Sequence, residues 1–127
     1  MEDKIGVPII LKSIINFDYE VRQAIVKIDM RSEWVKSNLS KDYTFSDFDK
    51  IYWACGLPIA HKYLAILNGI NLAFSVGSIS YEQAPIFKKS LKKAMKRLID
   101  FHKNEALKHK INLEDSEFTE LVDLGEE

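Results

Sequence analysis

His102, Glu105 and His109 recur at i, i+3 and i+7 towards the C-terminal end of the chain. On a helix that spacing puts two imidazoles and a carboxylate within about 60° of one another, a donor set that suits a divalent transition metal. Three ligands on one helix converge poorly unless another element supplies the fourth. No other His or Cys stands in a supporting position, so the trio reads as the polar exit of a helix from its core. Neither a metal nor a cofactor is expected. Cys55, the single cysteine, lies beside Tyr52 and Trp53 and reads as a small core residue rather than a reactive thiol. The chain has no nucleophile elbow, phosphate-cradling glycine loop or zinc-ligand spacing. No catalytic residue is assigned, and an enzyme is not expected.

The strongest chemical signal is charge. Residues 86–110 carry nine bases against Asp100 and Glu105, a local balance of +7, whereas 111–127 carry seven acids and no base. Lys88, Lys89, Lys92, Lys93, Lys96 and Arg97 share one side of a helix, and bases clustered on one face bind phosphate backbones by releasing counterions. Stacking aromatics are missing from that side, which speaks against single-stranded ligands. Arg97 and His102 also form R-x4-H, a spacing that resembles the motif of the HEPN helical ribonucleases. The resemblance covers six residues, with Leu98 where that family commonly has a polar residue. On a regular helix the two side chains point about 140° apart, so the spacing implies no nuclease.

A second candidate surface is apolar. Val26, Met30 and Trp34, with Tyr19 beneath, step by four along one side of a helix whose opposite side carries Val21, Ala24, Ile25, Ile28, Ser32, Val35 and Leu39. A helix with two apolar sides lies between two layers or carries an interface. Phe118 and Leu121 give the acidic tail an apolar edge suited to docking on a partner or on the basic helix. Asp47–Leu67 has the outline of a helix-turn-helix with Gly56 in the turn, but its second helix offers only His61, Lys62 and Tyr63 to a groove.

The elements that must hold these residues are all helical. The expected fold is an all-α, single-domain bundle of four to five helices. Leu57 to Val76 contains one formal charge, Lys62, and reads as a buried central helix bent near Asn68-Gly69. A long basic amphipathic helix over about 85–109 should bury Phe87, Leu91, Ala94, Met95, Leu98, Ile99, Phe101, His102 and Ala106. Asp18 is the expected N-cap of a helix from Tyr19 to about Leu39. Ser46 and Asp49 approximate a capping box for a short helix over 47–55, with Phe48, Ile51, Tyr52 and Cys55 inward, which Gly56 ends and Pro58 restarts. Residues 1–17 fit a short helix opened by Pro8, or a strand. Residues 1–110 are thus read as a helical domain and 111–127 as an acidic C-terminal tail.

At 127 residues, with 46% hydrophobic and 29% charged content, the chain is long enough to bury a core without disulfides. The N-terminal apolar run is short and flanked by acids, so no signal peptide is expected, and one cysteine suits a cytoplasmic protein. Two functions follow. One is a non-enzymatic nucleic-acid-associated protein whose basic face is regulated by the acidic tail. The other is a protein-binding adaptor or inhibitor acting through Val26, Met30 and Trp34 or through the tail. Partners are therefore nucleic acid or another protein, a homodimer included, and no membrane.

Overall fold

The computed structural model describes residues 6–39 and 42–111. These form three helices, α1 (Val7–Asn38), α2 (Phe45–Ser75) and α3 (Gln83–Lys108), and no strand occurs among the described residues. Short connections make neighbours antiparallel, and every helix packs against both others. The architecture is all-α as expected, with three helices where four to five were expected. The acidic tail, with Phe118 and Leu121, lies outside the described residues apart from Ile111.

The count is lower because two expected breaks are continuous helix. Pro8 sits in the first turn of α1, where its missing N–H has no partner to lose, and the helix runs on through residue 17 to Asn38. Asp18 is therefore not an N-cap. It lies mid-helix, with Oδ2 3.0 Å from Nε of Arg22 and Oδ1 3.0 Å from Nε of Arg97 on α3. Burial alone would raise its pKa, but the two guanidinium groups more than offset this and hold it below the ordinary 3.8. The resulting stabilisation is present above that value and fades as pH falls through the lower pKa of the folded state.

Gly56 and Pro58 likewise do not divide α2. An interior proline frees the carbonyl four residues earlier and costs a helix about 3 kcal/mol. Here both Pro58 and Ala54 are exposed, so the freed carbonyl is on the solvent side. Tyr52, Gly56, Ile59, Ala60 and Tyr63 are buried on the opposite side, before and after the proline, and anchor both halves of the continuous helix to the core. The helix starts at a reciprocal capping box of Thr44 and Asp47, two residues before the Ser46/Asp49 pair. At its other end Gly77 takes φ +77°, a left-handed conformation that glycine adopts without penalty, and Ser78 N–H donates to the Ala73 carbonyl at 2.8 Å. Ser80 and Gln83 then cap the start of α3 reciprocally, which lets Pro85 fall within the first turn.

The core is one cluster drawn from all three helices. Phe17, Val21 and Ile28 of α1 meet Phe48, Tyr52, Tyr63 and Ile70 of α2 and Leu91, Met95 and Leu98 of α3, all fully buried. The expected inward face of α3 holds throughout, with only Phe101 partly exposed. The expected central helix does not. In a three-helix bundle each helix keeps a solvent side, and on α2 that side is formed by Ala54, Leu57, Pro58, His61, Ala65, Asn68 and Leu72. Leu72 and Phe74, which belong to the segment read as a buried central helix, are exposed. Low charge on a helix marked it as enclosed when it marks instead a nearly neutral outer face.

Candidate functional site

The outer side of α1 carries a row of exposed apolar residues. Val26, Met30 and Trp34 are exposed, Met30 and Trp34 by 67% each. Tyr19 is exposed as well, and Leu11 and Ile15 extend the same four-residue steps towards the N-terminus. The resulting stripe covers 23 residue steps, about 35 Å at 1.5 Å per residue. Its first two members were legible in the sequence only if residues 7–17 belonged to the same helix, and assigning Asp18 as a cap hid them. The burial of Ile10, Ile14, Phe17, Val21, Ala24, Ile28 and Ser32 on the opposite side uses up the packing that the other two helices offer α1. A shallow groove of about 200 Å³ beside the stripe's N-terminal end is lined by Ile9, Ile10, Ser13, Ala65, Ile66 and Gly69.

The basic residues of α3 are less free than their sequence suggests. Lys89, Lys93 and Lys96 project from the outer side and meet no acid within ion-pair distance among the described residues. Lys88 and Lys92 are half-buried and engaged. Arg97 is held by Asp18 on α1. Six expected phosphate ligands thus reduce to three fully presented ones. Arg97 and His102 face different neighbours, Asp18 on α1 and Asp49 on α2, so their R-x4-H spacing assembles no shared site.

His102 is buried in an aromatic cage. Its ring stacks on Tyr52 with centroids 3.9 Å apart and lies 5.4 Å from Phe45 and 6.1 Å from Phe48. Nε2 is 2.8 Å from Oδ1 of Asp49, and Nδ1 is buried without a partner. His109 instead faces Glu105 at 3.4 Å. The His102, Glu105 and His109 trio therefore does not converge, and no group of three metal-ligating side chains occurs among the described residues. Above the cage Tyr43 hydrogen-bonds Ser32, with Lys36 5.1 Å from its ring centroid. Burial raises the pKa of Tyr43 despite that hydrogen bond and the lysine, and burial raises that of Tyr52 far more, with the charge of Asp49 adding to it. This end of the bundle is a packed aromatic cluster.

Compared with models of protein families, with curated proteins and with solved structures, the chain matches none. Its surfaces must therefore be weighed on their own chemistry. The continuous α2 leaves no turn at Gly56, so the helix-turn-helix outline is not realised. No helix among the described residues is long and apolar enough to cross a membrane. What stands out is two opposed kinds of outer face, an apolar one on α1 and a basic one on α3.

Proposed function

We propose that the chain is a non-enzymatic, helical protein-interaction module that docks through the outer side of α1. The observation that carries this reading is the shared exposure of Leu11, Ile15, Tyr19, Val26, Met30 and Trp34 on a helix whose other side is already packed. Large apolar patches on a folded surface mark interaction sites, and Trp, Tyr and Met are the residue types enriched at interface cores. Replacing Met30 and Trp34 together by serine should abolish self-association and partner capture while helical circular dichroism is retained. Unchanged mass in solution together with unchanged capture ends the reading.

A second reading, binding to a phosphate backbone, is favoured by Lys89, Lys93 and Lys96, which line about 10 Å of the outer side of α3. If it holds, fluorescence anisotropy with duplex nucleic acid will show binding at ~50 mM salt that weakens at least tenfold by ~200 mM. Binding absent at the lower salt, or indifferent to salt, removes it.

A further inference from the structure

Building on the docking role of α1, we propose that the partner on this face is a second copy of the chain, its α1 running antiparallel about a two-fold axis between Arg22 and Gln23. The spacing of the stripe carries the argument. Leu11 and Trp34, Ile15 and Met30, and Tyr19 and Val26 lie at equal distances either side of that midpoint. A two-fold interface uses the same patch on both subunits, so it requires a surface that maps onto itself under rotation. At 100° per residue Tyr19 and Val26 lie about 20° apart and Ile15 and Met30 about 60°, so an antiparallel pair brings these four to the seam, while Leu11 and Trp34, about 140° apart, flank it on opposite sides. A foreign partner would need no such symmetry.

The centre of the stripe fits the same arrangement. The other exposed polar residues of the sector, Lys12 with Glu33 and Asn16 with Asp29, pair about the same midpoint, and at the centre Arg22 is drawn towards the α3 edge by Asp18 at 3.0 Å. Two like charges facing each other across the axis are thereby avoided. Area agrees as well. With roughly 150–250 Å² for a fully exposed large side chain, the six exposed fractions of 46–67% amount to about 700 Å² per copy. Two copies together would bury about 1,400 Å², within the range of specific, stable interfaces.

Register and stoichiometry are both testable in the full chain. In a Cys55→Ser background, Gln23→Cys should form a disulfide between copies on mild oxidation. Ile15→Cys and Met30→Cys should cross-link when the two proteins are mixed, and each much less alone. Light scattering at ~10–100 µM should give twice the 14.7 kDa chain mass. Ile15→Lys with Met30→Lys should weaken self-association on the order of 100-fold or more while helical content is retained. A 14.7 kDa species throughout that range overturns the dimer. So does a dimer that survives the double lysine variant, or one in which Ile15→Cys and Met30→Cys cross-link only to themselves. A monomer that still captures another protein through Met30 and Trp34 removes the second copy and leaves the docking role standing.

Discussion

Phe48→Ala is expected to lower the free energy of unfolding by about 3–5 kcal/mol, the usual cost of emptying a fully buried aromatic site. Phe48 is 1% exposed, and its ring centroid lies 5.7 Å from Phe101, 5.8 Å from Phe45 and 6.1 Å from both Tyr52 and His102. It joins the start of α2 to the C-terminal half of α3, so the cavity would open where two helices meet. Aromatic neighbours on several sides cannot collapse into the space without leaving their own contacts. Against a total stability on the order of 5–15 kcal/mol, such a loss is a large fraction. Trp34→Ala is the matched comparison. That aromatic side chain is larger but two-thirds exposed, and its removal should change monomer stability by no more than about 0.5 kcal/mol. Urea titrations of both variants, compared at a concentration where the protein is monomeric, decide the matter. Equal midpoints for the two would mean that the Phe48 cluster contributes no packing.

Asp49→Ala should cost about 1–3 kcal/mol, because it strands the buried Nε2 of His102 without a partner. His102→Phe should be close to neutral. Phenylalanine keeps the stack on Tyr52 and the contacts with Phe45 and Phe48, and it removes the buried, unpartnered Nδ1. In the His102→Phe background the Asp49→Ala change should then lose most of its effect, since nothing buried is left to satisfy. Chemical denaturation of the two single variants and the double variant closes the cycle, with an expected coupling of about 1–2 kcal/mol. A coupling near zero would show that Asp49 acts through other contacts. A several-kcal/mol loss from His102→Phe alone would show that the imidazole has a structural role that an apolar ring of similar shape cannot replace.

The same two residues mark where sequence reasoning reached its limit. Periodicity alone places Phe48 and His102 inward, because 3.6-residue spacing assigns a side to every residue of a helix. It does not say which residue of another helix lies opposite, so the Asp49 partner of His102 and the Asp18 partner of Arg97 were invisible. Both pairs join residues more than fifty positions apart.

The chain's amino-acid order by itself determined that the protein is helical, which side of α3 and of residues 19–39 is buried, that α3 is basic, and that Val26, Met30 and Trp34 form a separate apolar stripe. These are local properties, set by side-chain spacing and charge along one axis. Tertiary structure decided the rest. Burial on both sides of Pro58 keeps α2 helical through a residue that would otherwise break it, and continuity through Asp18 makes one long helix of two expected segments. Only with three helices in place does it emerge that α2 has a solvent side, that the outer side of α1 has no partner among them, and that half of the α3 bases are already engaged. A helix's environment depends on how many neighbours surround it, and that number is a property of the assembled bundle.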